Sequence, residues 1–158
     1  MAVTVRHATK ADARRVAELA VRLVVQHENY DSRRFSRLYD EAQAEWYYAN
    51  QTDAADAAVL VAEIENEIVG FAYVQYEAKN YPELLETAAW LHDIYIEETA
   101  RGKNAGKLLI EKSIEIAREL GADKLMLSVA AKNEIGGAFF EHRGFRATMI
   151  EMMLDLAK

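Results

Sequence analysis

The run Arg101-Gly102-Lys103-Asn104-Ala105-Gly106-Lys107 is where residue types and spacing in this chain point most directly at chemistry. It precedes a segment, Leu108 to Leu120, whose apolar residues recur at helical spacing. A helix N-terminus presents free backbone N–H groups and the positive end of the helix dipole, which together attract phosphate. The small residues Gly102, Ala105 and Gly106 let an anion approach the main chain closely. A Walker A loop does not fit, because only three residues separate Gly102 from Gly106 and Leu108 stands where a magnesium-binding hydroxyl belongs. The G-x-G-x-x-G dinucleotide pattern is also missing. A solvated strand–helix turn is the alternative reading of the same residues.

The elements that must position this loop follow from periodicity. Val3 to His7 is a short β-prone run, and Thr9 with Asp12 reads as a capping box for a helix carrying Ala13, Val16, Leu19, Ala20, Leu23 and Val24 on one face. Phe35, Leu38, Tyr39, Ala42, Trp46 and Ala49 predict a second helix by the same spacing. Ala58 to Glu63 and Ile68 to Tyr76 alternate with period two around an Asn66-Glu67 turn, which predicts a hairpin. Thr87 to Ile96 is the next strand. Gly121 closes the helix that follows the loop. Leu125 to Ala130 predicts a strand, Ile135 to His142 a short helix closed by Gly144, and Arg146 to Leu156 a last strand. The order β-αα-βββ-α-β-α-β is a mixed α/β arrangement on one domain spanning residues 1–158, and differs from a regular dinucleotide-binding repeat.

Composition narrows the function classes. Nineteen basic and 26 acidic side chains leave a net charge of −7, which opposes nucleic-acid binding and suits a cationic small substrate. With no cysteine there is no disulfide, thiolate metal site or cysteine nucleophile, and no metal is expected. No apolar run approaches the length of a membrane span and no leader pattern opens the sequence, so a cytoplasmic protein without a membrane partner is expected. The apolar run Met149-Ile150, Met152-Met153-Leu154 and Leu156 invites pairing with a second copy, so a homodimer is considered.

Two segments taken together resemble the GNAT family of N-acetyltransferases. Arg101 to Gly106 is similar to that family's Q/R-x-x-G-x-G/A loop, with Asn104 in place of the first glycine. Asn133 to Phe145 is similar to N-x-x-A-x-x-x-Y-x-x-x-G-F: Asn133, Gly144 and Phe145 match, while Gly136 replaces the alanine and Phe140 the tyrosine. The order of hairpin, loop, helix, strand and Gly-Phe agrees over nearly the whole chain. The resemblance implies a mostly antiparallel twisted sheet flanked by helices, with a splay between the fourth and fifth strands. It implies acetyl-CoA as co-substrate, with backbone N–H groups from Arg101 to Lys107 (Gly102, Lys103, Asn104, Ala105 and Gly106 between them) on the pyrophosphate. Pantetheine would lie between Ile94-Tyr95-Ile96 and the strand at Leu125 to Ala130. Asn133 would bond the cofactor arm, or cap the helix that follows it, or do both. Phe140 would stand as an apolar wall where relatives place a tyrosine that protonates the departing thiolate.

The implied reaction moves an acetyl group to a primary amine by direct attack, which requires a neutral amine and a proton acceptor. His92 is the first candidate for that base, by position and because imidazole is the side chain whose unperturbed titration falls near the working pH. In a regular strand it would share a face with Trp90 and Ile94, so a packed core histidine is the competing reading. Asp93, Glu97 and Glu98 follow as candidates. The polar, aromatic stretch from His27 to Phe35 is expected to bound the acceptor, through Tyr30, Asp31 and Arg34; Tyr76 and Tyr81 could line the same cleft, and His142 and Arg143 are expected at the surface. A non-catalytic acyl-CoA-binding or sensing module on the same fold, or an unrelated phosphate-binding domain, are the alternatives to an enzyme.

Overall fold

The computed structural model describes residues 2–157. Five strands, β1 (Val3–His7), β2 (Ala57–Ile64), β3 (Glu67–Glu77), β4 (Ala88–Ile96) and β5 (Leu125–Met126), lie side by side in chain order. The first three pairings are antiparallel and the last is parallel. Helices α1 (Ala13–Tyr30) and α2 (Glu41–Gln51) cover one face, while α3 (Ala105–Glu119) and α4 (Glu134–Glu141) cover the other. The mixed α/β architecture is the one expected.

Burial explains the strand pattern. On β2, Val59 and Val61 pack under α1 and α2, whereas Ala58, Leu60 and Ala62 pack under α3. Apolar residues on both faces mark an interior strand. On β3, Phe71 and Tyr73 face the first layer, and Ala72 and Val74 the second. The hairpin turns on Glu65 and Asn66, both with positive φ (52° and 66°), one residue earlier than expected. Such values suit a two-residue turn that follows the twist of its strands.

The second helix differs from its sequence pattern in extent and phase. It starts at Glu41, because Asp40 accepts from the Gln43 backbone N–H at 2.8 Å and the Gln43 side chain accepts in return from Asp40 N–H at 2.8 Å. Ala44 and Tyr48 form its buried face, leaving Leu38 (85% exposed) and Trp46 (71%) in the open. Upstream, the Asp31 carboxylate holds the backbone N–H groups of Arg33 and Arg34 in a turn. Strand β5 is also shorter than Leu125 to Ala130, since the chain parts from β4 after Met126. The expected last strand does not form among the described residues. Residues 146–157 lie exposed and are tethered through Arg33–Asp155 (2.9 Å) and Arg34–Glu151 ion pairs.

The entry to α1 is held by charge. The Asp12 carboxylate accepts from Arg6 at 2.7 Å and from the Thr9 backbone N–H at 2.7 Å. The Arg6 hydrogen bond, helped by Thr9, holds the Asp12 carboxyl down at about 2. The stabilisation is therefore complete above the unfolded carboxyl value and is lost as pH falls through about 2. Asp12→Asn should cost about 1–2 kcal/mol at neutral pH, and the difference should close in acid; urea unfolding of both proteins across pH checks this.

Candidate active site

The 101–107 loop takes its shape from two left-handed residues, Gly102 (φ 77°) and Asn104 (φ 71°). Asn is among the side chains that tolerate this conformation, which accounts for its standing where the family pattern has glycine. Helix α3 opens immediately afterwards, without a side-chain cap on its N-terminus. Its first backbone bond within the helix runs from Leu108 N–H to the Asn104 carbonyl at 3.1 Å, so the N–H groups at Ala105, Gly106 and Lys107 precede the ladder. Gly106 does not need positive φ. The constraint there is packing, since an added Cβ would lie 3.1 Å from the Phe139 ring and would have to displace it slightly. Arg101 is turned back, with Nε donating to the Ile96 carbonyl at 3.1 Å and its guanidinium over the Tyr95 ring.

Pairing between β4 and β5 is confined to Ala89–Leu125 and Trp90–Met126. Beyond that point the pairing stops, and the β4 edge from Leu91 to Ile96 has no β5 partner among the described residues. Ile94 and Ile96 pack toward α3, and Tyr95 toward α1. Asn133 caps α4: its Oδ1 accepts from Gly136 N–H at 3.0 Å. The cap lies so close over Gly136 that a Cβ there would meet Asn133 side-chain atoms at 2.3–2.9 Å. Phe140 is 9% exposed and packs in the α3-side core against Phe139 and Phe145. Arg143, expected at the surface, is partly buried: its guanidinium lies 3.8 Å from the Phe139 ring centroid, and Nη1 donates to the Phe139 carbonyl.

A cleft of about 900 Å³ lies on the opposite face of β4 beneath α2. His92 and Asp93 both line it, although neighbours on a regular strand point to opposite faces. A β-bulge reconciles them: Tyr73 pairs with Asp93 and Val74 with Leu91, leaving His92 as the extra residue. Ile94 is thereby returned to the α3 side, so His92 does not share its face.

The Tyr48 hydroxyl donates to Asp93 Oδ2 at 2.7 Å. Burial pushes the Asp93 carboxyl up, and the Tyr48 hydrogen bond opposes that shift. Burial and the Asp93 charge push the Tyr39 phenol to about 12 and the Tyr48 phenol well above its usual value, so both stay protonated. His92 Nε2 meets the Glu77 carboxylate, and its ring lies between those of Tyr73 and Trp90.

The remaining candidates lie elsewhere. Glu97 is held by Arg15 and Arg22, and Glu98 is 85% exposed at its side chain. Tyr30 ends α1 with its ring edge against His27, Asp31 holds its local turn, and Arg34 pairs with Glu151, so none of the three lines the cleft. Tyr76 and Tyr81 are absent from its lining as well. Sequence reasoning missed Tyr39, Trp46, Tyr47, Tyr48, Tyr73 and Glu77, all of which do line it. The D-x-x-Q box at Asp40 was the available signal for Trp46, Tyr47 and Tyr48, because it sets the helix phase. Among the described residues no group of three or more His, Asp or Glu side chains is arranged to hold a metal, and no helix is long and apolar enough to cross a membrane.

Residues 25–145 match the model of the Acetyltransferase (GNAT) family. An uncharacterized N-acetyltransferase of Methanocaldococcus jannaschii is 27% identical over 90% of this chain, which spans 60% of that protein's length. Two solved structures share the fold. A Bacillus halodurans protein, solved as a mutant, superposes with TM-score 0.83 at 21% identity, covering 98% of this chain and 99% of that one. A predicted acetyltransferase of Clostridium acetobutylicum, solved with acetyl-CoA, gives 0.75 at 18% identity over 98% and 97%.

The tight seat of Asn133 over Gly136 makes a direct test. Gly136→Ala should drive the Asn133 side chain off the helix end, removing the cap at a cost of roughly 1 kcal/mol despite alanine's better helix propensity. Paired urea curves for Gly136→Ala, Asn133→Ala and the double variant should show the two changes to be far from additive.

Proposed function

The chain belongs to the GNAT acetyltransferase family, and from that premise we propose that it is a cytoplasmic N-acetyltransferase moving the acetyl group of acetyl-CoA to a primary amine. The observation that carries the reading is the pairing of two features at β4: an uncapped α3 N-terminus beyond one edge, and a cleft holding Asp93 and His92 beneath one face. The backbone N–H groups at Ala105, Gly106 and Lys107 would take the pyrophosphate, with Gly102 and Asn104 shaping the approach and Arg101 and Lys103 adding positive charge. Pantetheine would enter where β4 leaves β5, along Ile94, Tyr95 and Ile96. Asn133 keeps its Nδ2 for the cofactor arm while Oδ1 caps α4. A hollow of about 400 Å³ between α3 and the end of α4, lined by Lys107, Glu111, His142 and Arg143 among others, lies on the α3 side beyond the loop.

In this reading Asp93 takes a proton from the arriving ammonium, and Tyr48 holds the carboxylate in place. The freed lone pair forms the N–C bond to the acetyl carbonyl carbon as the C–S bond breaks. The nitrogen's second proton passes through water to the departing thiolate, and Asp93 returns its own to solvent, so each turnover releases one proton. With no cysteine to carry the acetyl group, both substrates are bound at once. Phe140, which has no ionisable proton, favours the second reading of a non-catalytic acyl-CoA-binding module.

Thiol release from acetyl-CoA over an amine panel separates the two, since the module binds without turnover. For the enzyme, activity should rise with pH through the elevated Asp93 value. Asp93→Asn should remove that limb and lower the rate by about 10²–10⁴. Tyr48→Phe, lacking the donor to Oδ2, should move the limb to higher pH. An unchanged profile in both variants would reassign the base to His92.

The exposed apolar residues Met149, Ile150, Met152, Leu154 and Leu156, each at least 70% accessible, support a homodimer joined through residues 146–157. Sedimentation velocity should show a dimer at micromolar concentration, and Ile150→Lys with Leu154→Lys should return it to monomer.

A further inference from the structure

Resting on the acetyltransferase reading, we propose that the acceptor is an organic dication: a primary amine that carries a second, non-reacting cationic group held in the cleft beneath α2. The cleft lining includes the carboxylates Asp40, Glu77 and Asp93, and among the described residues neither Lys nor Arg. An acceptor bearing phosphate or carboxylate would enter a negative field with no Lys or Arg to neutralise it and His92 already against Glu77, whereas a second ammonium is drawn in.

The walls agree with the charge. Trp46 is 71% exposed on a helix whose buried face is Ala44 and Tyr48, so core packing does not explain it; the cleft does. The rings of Tyr47 and Tyr73 stand edge to face at 5.7 Å, with the Tyr73 hydroxyl donating to Gln51 Oε1 at 3.0 Å. Tyr73 is buried and braces Tyr47, so the exposed rings of Trp46 and Tyr47 together with the carboxylates form the lining that attracts an alkylammonium through both ring quadrupole and charge.

The carboxylates divide the labour. Asp93, bonded to Tyr48 and raised by burial, serves the reacting nitrogen, which must arrive at or reach the neutral form. Glu77 lines the cleft wall with its carboxylate against His92 Nε2, and it is the carboxylate left for the nitrogen that keeps its charge. Trp46 covers that second group at the cleft mouth.

The test uses three primary amines of similar length: a diaminobutane with amines at both ends, pentylamine, and an omega-aminopentanoate. Titrated onto the whole protein with intrinsic tryptophan fluorescence as readout, the diamine should bind at least about tenfold more tightly than pentylamine, and the aminopentanoate more weakly than either. In thiol-release assays with acetyl-CoA the three kcat/KM values should keep that order. Glu77→Gln and, separately, Trp46→Leu should each collapse the diamine-to-pentylamine ratio, chiefly through KM; both substitutions are at accessible side chains. Pentylamine or the aminopentanoate binding as tightly as the diamine would overturn the dication assignment while leaving acetyl transfer standing. Diamine binding without thiol release from any amine would uphold the cation-binding cleft and remove the enzymatic reading beneath it.

Discussion

The bulge between β3 and β4 is the constraint on which the candidate site depends. Tyr73 faces Asp93 and Val74 faces Leu91, so one residue of β4 is left over. Leu91 before it and Ile94 after it both belong to the α3-side core, while Asp93 reaches Tyr48 on the other face. An unbroken strand cannot satisfy all three. With Leu91 inward, period two would send Asp93 inward as well, among Leu109, Ile110 and Val74. Burying a carboxylate there without a partner costs several kcal/mol. The extra residue at His92 removes that conflict and delivers two titratable side chains to a single cleft.

The residues that build the cleft also hold α2 in place. Tyr48 is both the buried anchor of the helix and the donor to Asp93. Tyr47 and Tyr73 share a 2.8 Å hydroxyl contact, and Tyr73 packs edge-on to the Tyr48 ring. A partly desolvated carboxylate is tolerated because this aromatic layer supplies one firm hydroxyl donor. The same layer leaves the carboxylate short of full compensation, which is why its pKa lies high. Packing on this face therefore conflicts with complete satisfaction of Asp93, a common arrangement where a group must exchange protons.

What could be read from the sequence follows from how local each feature is. The shape of the 101–107 loop was legible because its geometry is set within a few residues: two positions able to adopt positive φ, then a helix. The capping pairs Thr9–Asp12 and Asn133–Gly136 are local for the same reason. Helix α2 was misphased because Phe35, Leu38, Ala42 and Trp46 imitate an apolar stripe, although none of them belongs to the buried core and Asp40 starts the helix later. The bulge had no sequence signature, since it depends on where β3 sits against β4, and that decided which face carries His92. Strand periodicity in residues 146–157 was real, yet a strand also needs a neighbour, and none pairs with it among the described residues.

The placement of Phe140 completes the chemical logic. Its ring fills the α3-side core between Phe139 and Phe145, so position 140 offers no hydroxyl to the β4–β5 gap. The ionisable groups nearest the proposed reaction lie on the other side of β4, in the cleft of Asp93, His92 and Glu77. Proton removal would thus be concentrated at the amine, and the departing thiolate would rely on water. That division suits a thiolate, which leaves tolerably well near neutral pH, and it suits a cationic acceptor, whose attack is blocked until a proton is lost. An enzyme so arranged invests its acid–base machinery in the nucleophile. Adding a hydroxyl at position 140 would then help only if the tightly packed ring could turn toward the gap, and its seat against Phe139 and Phe145 opposes that movement.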